Sequence, residues 1–170
     1  MPVPTTAITF TLDLEDHRPS EAPAGTERYP ELTRRVLDFL GQRGVRGTFF
    51  VVGEVAQQQP DLVRDIAQRG HELGLHSWRH VPLTELDPDH LRRDAKRGKQ
   101  LLEELGGKEV HGFRAPIFSI VPESRWAVGV LAGFSERFVP DMLTRSADTM
   151  EATQKKPAGP PAQAPPQHTG

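Results

Sequence analysis

The residues best suited to chemistry in this chain are two histidines four positions apart, in the stretch Leu75-His76-Ser77-Trp78-Arg79-His80. If Ser77 to His80 form a helical turn, positions i and i+4 share a face and both imidazoles can point at one ion. Neutral imidazole is the commonest biological ligand for zinc and similar ions, so His76 and His80 make two-thirds of a three-ligand catalytic site. Most such pairs are polar loop residues, and the spacing gains weight only if a carboxylate and a suitable scaffold join it. The chain has no cysteine, which removes thiolate sites, cysteine nucleophiles and disulfides together. Any third ligand is therefore a carboxylate or another histidine.

Carboxylates gather at the end of residues 7–14 (AITFTLDL), an alternating, β-branched run that reads as a strand leading into Asp13, Glu15 and Asp16. Three further strands are expected at 46–52 (RGTFFVV), at 71–75 directly before His76, and at 110–113 directly before Arg114. Helical stripes fall between them. Leu32, Val36, Leu37 and Leu40 mark a helix over 31–41, and Leu62, Val63 and Ile66 mark one over 61–68. Asp87 as N-cap and Pro88 at the first position open a long third helix that stops at Gly106-Gly107, and a fourth covers 122–131. The order β-α-β-α-β-α-β-α predicts a parallel sheet with right-handed crossovers, either open or curled into a barrel. In both, ligands bind at the C-terminal ends of the strands. The three polar clusters, 13–16, 76–80 and 114–118, all follow such ends.

With 36% hydrophobic and 26% charged residues in 170, the composition is that of one ordinary globular domain. A net charge of −2 offers no surplus of cations to nucleic acid or to an anionic membrane, so neither is an expected partner. No apolar run approaches the roughly 20 residues that span a bilayer, and the first residues lack a leader pattern. A cytoplasmic location without a membrane span is the expectation. No motif sets an oligomeric state.

Four segments carry a family likeness: Thr11-Leu12-Asp13-Leu14-Glu15-Asp16, Gly47-Thr48-Phe49-Phe50-Val51-Val52-Gly53, Gly70-His71-Glu72-Leu73-Gly74-Leu75-His76-Ser77-Trp78-Arg79-His80, and Gly112-Phe113-Arg114-Ala115-Pro116-Ile117-Phe118. In this order, across 7–131, the chain resembles the polysaccharide deacetylases with the NodB homology domain, carbohydrate esterase family four. The resemblance implies an α/β fold, the N-terminal part of a distorted β/α barrel with parallel strands. It implies a hydrolase that removes N-acetyl groups from a polysaccharide or amino sugar, by attack of a metal-bound water with a carboxylate base. The cofactor implied is a divalent metal, zinc first, with cobalt or other ions as alternatives.

Carried over residue by residue, Asp13 is the base, His76 and His80 are ligands, and Arg114 holds the base. The third ligand stays open, because many members read Asp-Asp where this chain reads Asp13-Leu14-Glu15-Asp16. Glu15 shares Asp13's side of an ideal strand and is preferred; Asp16 reaches the ion if the strand has ended. A gapless alignment would instead make Glu15 the base. Trp78, Pro116 and Phe118 are candidate substrate contacts, with core packing an equal alternative for the aromatics. His17, His71, His90 and His111 read as loop or surface residues. The metal chemistry stands without the family: two imidazoles and a carboxylate around zinc polarise an amide carbonyl and bring a bound water's pKa toward about 7.

The family's later motifs, an acidic-aromatic one and a Leu-x-His that supplies the general acid, are not found after 118. Residues 1–134 therefore read as a partial deacetylase-like domain with an open sheet edge, and 135–170 as a Pro- and Ala-rich tail expected to be disordered. His168, near the end of that tail, is a poor candidate for a positioned acid. The chain reads as the N-terminal half of a deacetylase joined to unrelated text. Two functional classes follow: a metal-dependent deacetylase, or a truncated, catalytically silent relative that only binds metal or sugar. A metal-independent relative acting on ureide-like molecules is disfavoured by the two histidines.

Overall fold

The computed structural model describes residues 9–18, 21–23, 25–134 and 139–140. Five strands, β1 (Phe10–Leu14), β2 (Gly47–Val51), β3 (Glu72–Leu75), β4 (Gly112–Phe113) and β5 (Val139–Pro140), form one sheet. Every pairing is parallel, and the spatial order β1-β2-β3-β4-β5 is the sequence order. That order decides between the two architectures left open above, because a doubly wound sheet reverses its strand order partway and a β/α barrel does not. β5 comes after residue 134, the expected end of the folded part. The remainder of the tail, with His168, lies outside the described residues.

The helices are α1 (Tyr29–Gln42), α2 (Gly53–Gln58), α3 (Pro60–Gln68), α4 (Pro88–Gly106) and α5 (Trp126–Ala132). α4 starts as its sequence predicts: the Asp87 carboxylate accepts from the N–H groups of Asp89 at 2.9 Å and His90 at 2.8 Å. Those two donors have no partner within the helix, which is why an aspartate suits the position. α2 was not expected. It is six residues long, follows β2 after one residue, and is too short for its apolar period to show in the sequence. No helix among the described residues is long and apolar enough to cross a membrane.

Side-chain alternation along each strand, combined with the register between strands, sorts the sheet into two faces. Leu14, Val51, Leu75 and Phe113 are aligned across four strands and are each no more than 1% exposed. They form the core with Leu37, Leu62, Ile66, Leu91 and Leu102 from the helices. One residue earlier, the row Asp13, Phe50, Gly74 and Gly112 faces the opposite side. Phe50 is nonetheless 3% exposed, because its ring fills the space left by the two glycines. A Cβ on Gly74 would lie 2.5 Å from the Phe50 ring, so β3 and β4 can flank this phenylalanine only without side chains at that level.

His71, expected as a loop or surface residue, is buried immediately before β3 with 5% exposure. Its Nδ1 accepts the Gly47 N–H at 3.1 Å and its ring meets the Phe49 ring at 5.0 Å. A single polar residue at a strand start carries no pattern that reveals such packing. Burial, with Arg69 and Arg46 adding like charge, pushes the His71 pKa below its ordinary value of 6.5. The folded state therefore resists a proton that the unfolded chain accepts, so the stabilisation is complete above about pH 6.5 and declines as the pH falls toward the depressed value. Urea unfolding between pH 7.5 and 5 should show stability falling with pH, and the His71→Gln variant should show a shallower fall. A slope unchanged by that substitution would assign the effect to other groups.

Candidate metal centre

The site is built two residues beyond the row Asp13, Phe50, Gly74 and Gly112. The parallel ladder continues past the strand ends, with the His76 N–H donating to the Val51 carbonyl and the Arg114 N–H to the Leu75 carbonyl, both at 2.9 Å. Alternation then puts Glu15, His76 and Arg114 on the same side as Asp13. One ligand atom each from Glu15, His76 and His80 lies within 4.8 Å of the others. Glu15 Oε2 is 2.5 Å from His80 Nε2 and 3.9 Å from His76 Nε2. His76 is 2% exposed, and its Nδ1 lies 2.8 Å from the Arg114 carbonyl oxygen. A carbonyl only accepts, so Nδ1 carries the proton and Nε2 keeps the lone pair that faces Glu15. Burial lowers the His76 pKa and keeps the ring neutral, the form that binds metal.

His80 reaches the cluster by a route other than the expected helical turn. Ser77 and His80 sit at φ 62° and 57°, a conformation uncommon outside glycine, and no helix forms between them. The Ser77 hydroxyl accepts the His80 N–H at 2.9 Å and closes the turn. The first N–H groups of α2 complete it, Gly53 donating to the Ser77 carbonyl and Glu54 to the Trp78 carbonyl at 3.0 Å each. A helix start has spare N–H donors, and here they hold the loop that carries the second histidine. The two imidazoles meet edge to face, 4.9 Å between centroids.

Beside this cluster stands an ion pair. Arg114 Nη1 donates to Asp13 Oδ1 at 2.5 Å and Nη2 to the Thr11 hydroxyl at 3.1 Å, while the guanidinium lies 4.0 Å above the Phe50 ring. Asp13 Oδ2 is left facing the cluster, 3.9 Å from His76 Nε2. The three groups thus comprise a candidate ligand set, a carboxylate next to it, and a cation that orients that carboxylate.

A family model described as polysaccharide deacetylase matches residues 4–133. The chain belongs to that family. Among curated relatives it is 34% identical to a peptidoglycan-N-acetylglucosamine deacetylase of Bacillus cereus over 98 residues, covering 57% of this chain and 36% of that protein. The polysaccharide deacetylase fold is shared with a protein of Mycobacterium smegmatis at 30% identity and TM-score 0.63, over 74% of this chain and 47% of that one. It is also shared with a family 4 acetyl xylan esterase of Clostridium thermocellum, solved in complex with a cobalt ion, at 28% identity and TM-score 0.55, over 71% and 53% of the two chains. The chain spans less than half the length of the curated relatives it matches.

Within this deacetylase-family chain, the candidate residues divide. Glu15, His76 and His80 come together, with Asp13 and Arg114 alongside. Asp16, the other candidate ligand, does not join them: its carboxylate takes the Arg18 guanidinium at 2.7 Å and the Arg18 backbone N–H at 3.1 Å, contacts that hold its pKa below the usual carboxylate range. Trp78 is corrected from substrate contact to core residue. It is 4% exposed, its ring lies against Gly53, and Arg97 stacks over it at 3.7 Å. Pro116 is likewise buried, and its carbonyl serves as acceptor for Ser119. Phe118 alone of the three stands open, 74% exposed next to Ile117, both at φ 52°.

Three contributors to the site do not stand out in the sequence. Thr11 was visible as the residue two before Asp13 on an alternating strand. The roles of Phe50 and Gly53 depend on partners distant in sequence, and neither carries a pattern of its own.

Proposed function

We propose that this chain is a metal-dependent hydrolase that removes N-acetyl groups from a polysaccharide or amino sugar. The observation that carries this is the grouping of Glu15, His76 and His80 within 4.8 Å, next to the Arg114-bound carboxylate of Asp13. Two imidazoles and one carboxylate suit zinc or cobalt and leave positions free for water and substrate. His76 is already in the neutral tautomer such an ion needs. When bound, the ion supplies Lewis acidity toward a carbonyl oxygen and toward water.

The chain's own residues do the rest. Asp13 accepts the proton of the attacking water through Oδ2, the oxygen not engaged by Arg114, and returns it to the nitrogen as the amide C–N bond breaks, so that acetate and the free amine leave. Arg114, fixed by Thr11 and by the Phe50 ring, keeps Asp13 from rotating away. Asp13 and His80 are about one-third exposed, so a substrate can reach them. Phe118 presents an exposed ring on the segment that follows Arg114, a surface on which the apolar face of a sugar can rest. The relatives' substrates, peptidoglycan N-acetylglucosamine in Bacillus cereus and chitooligosaccharide in Rhizobium leguminosarum, support an N-acetylated amino sugar.

The test is acetate release from an N-acetylglucosamine oligomer with added zinc or cobalt. The parent should turn over, and His76→Ala should lose more than about 100-fold, since removing a ligand costs more than removing its outer partner. A parent that binds zinc but releases no acetate would identify a silent metal-binding relative instead.

A further inference from the structure

The metal centre proposed above has a neighbour that the ligand set does not use. His17 Nε2 lies 2.9 Å from Glu15 Oε1, while the other oxygen of the same carboxylate, Oε2, faces His80 and His76. Glu15 is thus held at both oxygens, one turned to the cluster and one turned to His17. A glutamate has one more rotatable bond than an aspartate, so a glutamate ligand has more freedom to lose before it can hold an ion in place.

A local turn delivers the histidine. The Asp16 carboxylate accepts the Arg18 backbone N–H at 3.1 Å, an arrangement in which an aspartate bonds two residues ahead and reverses the chain. His17 is the middle residue of that turn. Arg18 locks it further through Glu27 at 2.8 Å and the Pro23 carbonyl at 3.0 Å. Asp16, left out of the ligand set, therefore acts together with Arg18 to shape the turn that returns His17 to Glu15.

We infer that His17 is a positioning residue for the metal ligand Glu15, its Nε2–H donating to Oε1 so that Oε2 is presented to the ion. This inference rests on the metal-dependent reading above. Metal ligands characteristically have such outer partners, and losing one typically lowers metal affinity 10- to 100-fold. His17 is 81% exposed, so its removal leaves no buried cavity and should not disturb the fold.

The experiment is cobalt titration of the full chain, followed by calorimetry and by the visible absorption of the bound ion, for the parent and for Glu15→Gln, His17→Ala and His17→Gln. His17→Ala should bind cobalt about 10-fold more weakly with the parent's absorption spectrum and unchanged melting of the metal-free protein. His17→Gln, whose amide N–H can still donate, should recover part of that loss. If His17→Ala binds as the parent does while Glu15→Gln does not, the positioning role is overturned and the metal site stands. Equal losses in both His17 variants with an altered spectrum would make His17 a direct ligand and also overturn it. A parent that binds no cobalt, or a Glu15→Gln variant that binds normally, would overturn the metal reading beneath it.

Discussion

Replacing Asp13 by asparagine is expected to lower kcat about 10²- to 10⁴-fold while leaving the metal centre in place. The substitution conserves shape, and asparagine's amide oxygen can still accept from Arg114 Nη1 where Asp13 Oδ1 does now, at 2.5 Å. What disappears is the capacity to take a proton at the atom 3.9 Å from His76 Nε2. Metal affinity should fall but not vanish, because Asp13 lies outside the group Glu15, His76 and His80 and acts on the ion only through its charge. A unit charge about 4 Å from a divalent ion in a solvated site is worth about 2 kcal/mol, roughly a thirtyfold change in affinity. Acetate release and cobalt titration on one preparation separate the two effects. An unchanged kcat would remove Asp13 as base, and a complete loss of cobalt binding would make it a ligand.

The second large effect is expected far from any reacting atom. Gly53 opens α2 against the Trp78 ring, and a Cβ there would lie 2.3 Å from one indole carbon and 2.8 Å from two others. The ring cannot retreat freely, since Arg97 is stacked 3.7 Å away on it. Gly53→Ala therefore overpacks the site, at a cost of about 1 to 3 kcal/mol. Trp78 lies between the two histidines, and the Gly53 N–H also binds the Ser77 carbonyl, so the strain is passed to the turn that places His80. Both the melting temperature and the cobalt affinity should fall. Gly41→Ala is the control: it lies in α1 with nothing within 4 Å of an added Cβ, and should be neutral or stabilising by about 0.5 to 1 kcal/mol. If Gly53→Ala melts and binds cobalt as the parent does, the bracing of the turn by α2 is disproved.

The contrast between α4 and α2 shows where sequence patterns stop being informative. α4 is 19 residues long, with a capping aspartate, a proline in its first turn and several turns of apolar period, and each of these acts locally. α2 has six residues, and the contacts that matter most are those of its first N–H groups to Ser77 and Trp78, more than 20 positions away. The same distinction separates the two histidines. His76 follows from a strand and its register, so its direction could be anticipated. His80 depends on two residues at positive φ, stabilised by the Ser77 hydroxyl and by α2, and the expected helical turn does not form.

In the sequence the third ligand is open between Glu15 and Asp16, because each has the right chemistry and the two are adjacent. Strand parity favoured Glu15, and the geometry groups Glu15 with the histidines while Arg18 takes Asp16. Trp78 was ambiguous for a related reason: its type suits a sugar face and a core equally, and only the glycine beneath it and the arginine above it make it a core residue.

By itself, then, the sequence determined the parallel β/α order, the family, the edge at which Asp13, His76 and Arg114 meet, and the chemistry their side chains permit. These follow from alternation, caps and motif spacing, which act over a few residues. The tertiary structure alone decided which carboxylate joins the histidines, how His80 is turned toward them, and that Trp78 braces the turn from within the core. Those outcomes depend on contacts between segments tens of residues apart, whose energies are set by packing and have no counterpart in local spacing.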